Sequence, residues 1–258
     1  MPELSVRICG LTVRLEAESA SVIAAARRRY AAFLARGKPD TSIRLMLTGK
    51  KLRSYRDEPR AVWDGRAGRV ERHDLELDLA PGLGLATVAA NPSALDSLLR
   101  IVLSFLMVQR GGFLCHSAAV DGWLFPGVSG AGKSTLGRSA PKKRLLADEL
   151  VGVVGDRLYG TPFRGDFLIG RTNVSRPLEA VVLLDRKGPR GVRSIPKSFA
   201  LVRLLQCALY FGDDPRGSRA ILAAARRCVL RAATFALGYD ARTTPFSAVE
   251  TMIRKALR

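Results

Sequence analysis

The sequence predicts an α/β fold, a mixed β-sheet with helices packed on it, preceded by a small α+β region, with the division near residue 90 (1–90 and 91–258). Three observations predict it. The segment Gly127-Val128-Ser129-Gly130-Ala131-Gly132-Lys133-Ser134-Thr135 fits the pattern G-x-x-x-x-G-K-[ST] at every fixed position, between a strand-like run (Gly122 to Pro126) and a helix-like one (Ser134 to Ala140). Short apolar runs of strand length recur from Phe113 to Leu184 and helical patterns follow them. Before residue 90, strand-like alternation surrounds a single helical pattern.

Taken in order, Leu4 to Ile8 and Leu11 to Leu15 read as strands about a Cys9-Gly10 turn. A helix is expected from Ser19 to Arg36 on the stripe Ala20, Ile23, Ala24, Tyr30, Phe33 and Leu34, stopped by Gly37-Lys38-Pro39. Ile43 to Leu47 is expected to be a strand and Gly49 to Arg72 is polar; short strands are expected around Ala61–Trp63 and Leu75–Leu79. Asn91-Pro92-Ser93 opens a helix through Gln109 with a broad apolar face. Phe113 to Val120 and Trp123 to Pro126 lead into the glycine-rich loop, and Arg144 to Ala147 is a buried strand ending at Asp148-Glu149. Further strands are expected at 151–154, 157–159, 180–184 and 234–239, and helices at 198–210, 215–227 and 246–257.

At 258 residues with 47% hydrophobic and 25% charged residues, the composition is that of a folded chain, not a disordered one. Met1-Pro2-Glu3-Leu4 carries no basic segment followed by an apolar core, and the run Ile101 to Val108 is too short to span a bilayer, so a cytoplasmic chain with no membrane partner is expected. Cys9, Cys115, Cys207 and Cys228 are scattered without a C-x-x-C pair, which points to core packing. The net charge of +19 comes from 42 basic residues spread along the chain, 33 of them arginine. Arginine-rich composition accounts for this, and so does an acidic partner. No zinc-finger spacing or aromatic-studded RNA-binding strand supports nucleic acid.

The chemistry of the loop follows from its residue types. Glycines open backbone conformations closed to other residues, letting N–H groups of Gly127, Ser129, Gly130, Ala131, Gly132, Lys133, Ser134 and Thr135 close on phosphate oxygens. The following helix points its positive end at the same anion. Lys133 is spaced to reach the β and γ phosphates, and the Ser134 hydroxyl to ligate Mg²⁺. A nucleoside triphosphate is the expected ligand. Asp148-Glu149 follows a hydrophobic strand, where one carboxylate can hold a metal and the other take a proton from a hydroxyl. His116 ends the apolar run before the loop and is either structural or near the phosphates; His73 reads as surface. The turn Gly160-Thr161-Pro162-Phe163-Arg164-Gly165-Asp166 adds a third carboxylate, Asp166, and Arg164 as a candidate phosphate or substrate clamp.

Together, His116-Ser117-Ala118-Ala119, the loop, Leu146-Ala147-Asp148-Glu149 and Gly160-Thr161-Pro162-Phe163-x-Gly165-Asp166 resemble the HPr kinase/phosphorylase-like family, whose C-terminal catalytic core is similar to the nucleotide-binding core of phosphoenolpyruvate carboxykinase. The likeness is strongest to the small HPr-kinase-related proteins of peptide-modification clusters, including kinases of lasso-peptide precursors, and covers about residues 113 to 170. It implies ATP and Mg²⁺ as cofactors, Asp148 as base, Glu149 and Asp166 with Ser134 at the metal, and His116 by the transferred group. Glu149 stands where HPr kinases have aspartate, and Asp166 where they have glutamate. The first 90 residues do not resemble the regulatory domain of the bifunctional enzymes, nor is the phosphorylase segment present, so kinase activity alone is expected.

The leading expectation is transfer of the γ-phosphoryl group to a hydroxyl, foremost a serine of a ribosomally made precursor peptide, with acidic peptides suited to the basic chain. Free serine or a sugar is the small-molecule alternative. A nucleotide-dependent switch or assembly factor is the alternative of a different class, and a nucleic-acid-binding ATPase is suggested by charge alone. HPr kinases are hexamers; homo-oligomerisation of this chain is left open by its sequence.

Overall fold

From Leu4 to Val88 apolar residues recur at every second position of each strand, so each strand has one face that must be buried. The computed structural model describes residues 1–49, 59–128, 130–163, 172–240 and 243–258. They divide into two units, Met1–Arg110 with Tyr210–Ala220, and Gly111–Leu209 with Ile221–Arg258. The first is a small α+β unit and the second a larger mixed α/β core.

In the first unit, β1 (Glu3–Ile8), β2 (Leu11–Ala17), β3 (Thr41–Thr48), β4 (Arg60–Trp63), β5 (Gly68–Glu71), β6 (Leu75–Ala80) and β7 (Leu83–Ala89) form one sheet in the order β1-β2-β3-β7-β6-β5-β4. The pairs β2–β3 and β3–β7 are parallel and the others antiparallel. Helices α1 (Ala20–Arg29) and α2 (Pro92–Gln109) pack against β1, β2, β6 and β7, and Val6, Leu15, Ile43, Leu77 and Ala86 of the sheet are buried. Asn91 caps α2 by accepting from the Ala94 N–H at 2.9 Å, with Pro92 at the first turn where a missing N–H costs nothing.

One expectation is corrected here. The helix expected from Ser19 to Arg36 ends at Arg29, followed by a single 3₁₀ turn at Ala31–Phe33. Tyr30 is drawn into the core, where its hydroxyl donates to Asp96 at 2.7 Å, and Leu34 bridges to Val6, so tertiary contacts override the helical stripe. The helix over 92–109 lies in the first unit, where it packs on β2, β6 and β7. At 18 residues that helix is longer than the apolar run weighed from sequence and passes a length-and-hydropathy test for a membrane span. Its burial within the chain, 72%, accounts for its apolarity.

In the second unit, β8 (Gly112–Val120), β9 (Trp123–Pro126), β10 (Leu145–Ala147), β11 (Leu150–Val154), β12 (Arg157–Tyr159), β13 (Ser175–Pro177), β14 (Ala180–Leu184), β15 (Gly191–Ser194), β16 (Ala208–Leu209) and β17 (Ala233–Gly238) form a sheet with the path β13-β12-β11-β8-β9-β14-β17-β15. Strands β10 and β16 pair with β8 off that path. The pairs β9–β14 and β14–β17 are parallel. Helices α3 (Lys133–Ser139), α4 (Lys197–Leu205), α6 (Phe246–Ala256) and the part of α5 (Pro215–Arg231) from Ile221 onward belong to this unit. Trp123, Phe125, Leu136, Val182, Phe235 and Phe246 share one core. Arg144 anchors α6 through Glu250, at 2.8 and 2.9 Å, and also donates to Asp121 at 2.8 Å.

Candidate functional site

The site is built on a change of partners along β8. On one side of that strand its first half pairs with β16 and its second half with β9; on the other side it pairs with β11 and then β10. The exchange happens at His116 and Ser117. The His116 N–H donates to the Cys207 carbonyl at 2.7 Å and its own carbonyl accepts from the Gly127 N–H at 3.3 Å, while the Ser117 N–H donates to the Glu149 carbonyl at 3.1 Å. The start of the glycine loop and the Asp148-Glu149 turn are thereby fixed on either side of His116.

Beyond Pro126 the chain leaves the sheet and folds back tightly. A Cβ on Gly127 would stand 2.9 Å from that of Ala131, so only glycine closes the loop here. Gly132, the residue before α3, has φ +98°, a conformation L side chains rarely adopt. The Val128 carbonyl accepts from the Ala131 N–H at 3.2 Å and from Lys133 Nζ at 3.0 Å. Ser134 and Thr135 are half-buried in the first turn of α3. A cavity of about 80 Å³ adjoins the loop, lined by Gly127, Val128, Ala131, Leu183, Arg203 and Cys207.

Lys133 is the centre of the site's electrostatics. It is 5% exposed, and its Nζ lies 3.0 Å from His116 Nε2. Among the described residues no carboxylate comes within 4.0 Å of it. Burial disfavours the ammonium and draws its pKa below the ordinary lysine value, against the opposing charge of Glu149. With Lys133 charged, His116 Nε2 accepts and the ring hydrogen sits on Nδ1. That nitrogen faces Glu149 Oε1 at 3.7 Å, giving a line Glu149–His116–Lys133 from the carboxylate turn to the loop.

The structure brings His116, Lys133 and Glu149 together as one group. Asp148, read from sequence as the base, is 0% exposed between β10 and β11, whereas the Glu149 side chain is partly exposed. The Gly160 turn is anchored by Thr161 Oγ1, which donates to the Leu150 carbonyl at 2.6 Å. Ser129, Arg164 and Asp166 lie outside the described residues. Among those described, no group of three His, Cys, Asp or Glu side chains is arranged to hold a metal ion. The four cysteines are free and buried, and burial pushes the Cys9 thiol up to about 12.

Two side chains beside the loop carry no sequence motif. Arg186 Nη1 donates to the Gly130 carbonyl at 3.1 Å, and the Tyr239 hydroxyl lies 3.7 Å from the point where a Gly132 Cβ would stand. Their position directly after β14 and β17, the two strands parallel to β9, is the signal that could have marked them. No protein-family model matches the chain, and no curated protein matches it.

Proposed function

We propose that the chain is an ATP- and Mg²⁺-dependent kinase that transfers the γ-phosphoryl group to a hydroxyl, foremost the serine of a peptide. The observation that carries the reading is Lys133: a buried ammonium, held over a glycine-rich loop by a carbonyl and an imidazole, with no carboxylate of the described residues in ion-pair range. A buried cation without a counter-charge is costly, and a bound anion removes that cost. The loop's fit to the phosphate-binding pattern makes that anion a nucleotide phosphate.

The residues then divide the work. Backbone N–H groups of the loop and Lys133 hold the phosphates in line and offset the charge that develops on transfer. Ser134, the Asp148-Glu149 pair and Asp166 would hold Mg²⁺, which would offset the negative charge of the phosphates. Once Lys133 turns to phosphate, His116 Nε2 loses its present donor and is left facing the transferred group. The acceptor oxygen forms a bond to the γ-phosphorus, the bond from that phosphorus to the β,γ-bridging oxygen breaks, and ADP leaves. Burial of Asp148 and exposure of Glu149 favour Glu149, backed by His116, as the group that takes the hydroxyl proton. The basic chain, at +19, suits an acidic peptide.

The test is incubation with Mg-ATP and candidate precursor peptides, read by mass spectrometry for a gain of one phosphate, about 80 Da. Transfer by the unaltered chain and its loss in Glu149→Gln support the reading. Tight ATP binding with no transfer to any peptide or small hydroxyl compound contradicts it in favour of a nucleotide switch. Full transfer by Glu149→Gln and none by Asp148→Asn would return the base to Asp148.

A further inference from the structure

We propose that Arg186 and Tyr239 are two further nucleotide contacts, forming the wall of the site on the side of the loop away from His116 and Glu149. The proposal rests on the reading of the loop as a nucleotide site.

The topology supplies the first argument. Strands β9, β14 and β17 lie side by side and run parallel, so the residues after their C-terminal ends gather at one edge of the sheet. Those residues are the glycine loop after Pro126, Asp185-Arg186-Lys187 after Leu184, and Tyr239 after Gly238. Ligands of open α/β sheets bind outside the carboxyl ends of the parallel strands. The other neighbour of β9 is the antiparallel β8, which carries His116 and, through Ser117, holds Glu149. A nucleotide whose phosphates occupy the loop therefore has the β14–β17 edge on one flank and the proton-handling group on the other.

The second argument is the Tyr239 hydroxyl. The residue is 8% exposed, and its ring packs in the core with Phe246 and Val249. Phenylalanine would fill that space equally well, yet the hydroxyl is buried against the loop with no hydrogen-bond partner among the described residues. Such a group costs free energy unless something comes to meet it. It faces the loop at Gly132, the residue whose positive φ turns the chain into α3. Burial pushes the phenol up to about 12, with the nearby Arg186 charge acting against that rise, so the hydroxyl stays a donor throughout the physiological range.

The third argument is Arg186. It is exposed and uses one N–H to hold the Gly130 carbonyl. A guanidinium has five N–H donors in a planar fork, and the others remain for phosphate or ribose oxygens of a ligand seated in the loop. Lys133 on one flank and Arg186 on the other would bracket the nucleotide between two cations.

Calorimetric titration of the full chain with Mg-ATP, alongside melting of the ligand-free protein, tests this. Tyr239→Phe is expected to weaken binding about 5-fold while leaving the ligand-free melting temperature within about 1 °C, since no partner is lost. Arg186→Ala is expected to weaken binding about 10-fold or more, with Arg186→Lys recovering only part, because a lysine lacks the fork. If both positions bind like the unaltered chain while Lys133→Met does not bind, the inference is wrong and the reading of the loop stands. A Tyr239→Phe protein that melts several degrees lower marks the hydroxyl as structural and also overturns the inference. Absence of Mg-ATP binding by the unaltered chain overturns both.

Discussion

The two units bury charge in opposite ways. In the first, Arg29 donates to both oxygens of Asp96, and the Tyr30 hydroxyl donates to Oδ1 at 2.7 Å. The arginine's own charge is met within the unit, and its pKa rises through that hydrogen bond. In the second, Lys133 is buried with a carbonyl and an imidazole and has no carboxylate of the described residues in range, so burial lowers its pKa. A satisfied pair serves the fold. A cation left without a carboxylate in range, beside a glycine loop, is what the proposed nucleotide phosphate would complete. The same contrast separates Tyr30, whose hydroxyl is used, from Tyr239, whose hydroxyl is not.

The largest effect that would sharpen this contrast is in the first unit. Asp96→Ala removes the carboxylate that Arg29 and the Tyr30 hydroxyl share and is expected to cost about 3 kcal/mol of unfolding free energy, measured by urea denaturation. The corresponding change in the second unit should do the reverse: Lys133→Met removes an uncompensated charge and is expected to leave the ligand-free protein as stable, or about 1 kcal/mol more so. A loss as large as that of Asp96→Ala would show that Lys133 is structural. Next comes acid stability. Glu250 is held down to about 2, chiefly by the Arg144 hydrogen bonds and then by Arg254. A carboxylate with a depressed pKa binds fewer protons folded than unfolded, so its contribution is full above its ordinary pKa of 4.5 and is lost as pH falls from there toward 2. Glu250→Gln should flatten that limb of a stability–pH curve. The smallest effect is at the loop: Gly132→Ala, with space for the methyl but φ +98°, is expected to cost about 1 kcal/mol in thermal unfolding.

What the sequence made legible was local. The glycine loop, β8, β9 and the α2 helix announce themselves by pattern, because each is specified by residues close in the chain. The helix expected over 198–210 shows where that stops: it ends at Leu205, because Ala208–Leu209 adds as strand β16 to β8, and a run of apolar residues cannot say which neighbour will take its backbone bonds. The edge strands Ser175–Pro177 and Gly191–Ser194 were invisible for a related reason, since exposed edges need no apolar alternation. In the site, Lys133 and the carboxylate turn were readable. The approach of His116 to Lys133 was not, because it depends on β8 exchanging partners at that residue. The buried state of Asp148 was equally out of reach: two adjacent acids read alike until β10 and β11 turn one inward.

On the proposed function, Lys133 waits for nucleotide phosphate. The direct measurement is calorimetric titration of Mg-ATP into the unaltered chain and into Lys133→Met, at neutral pH and again at rising pH. Binding is expected to weaken about 100-fold on substitution, and to weaken in the unaltered chain as pH rises through a range below the ordinary lysine value, where the buried ammonium loses its proton. Equal affinity of the two proteins for Mg-ATP, or no binding by either, would contradict it.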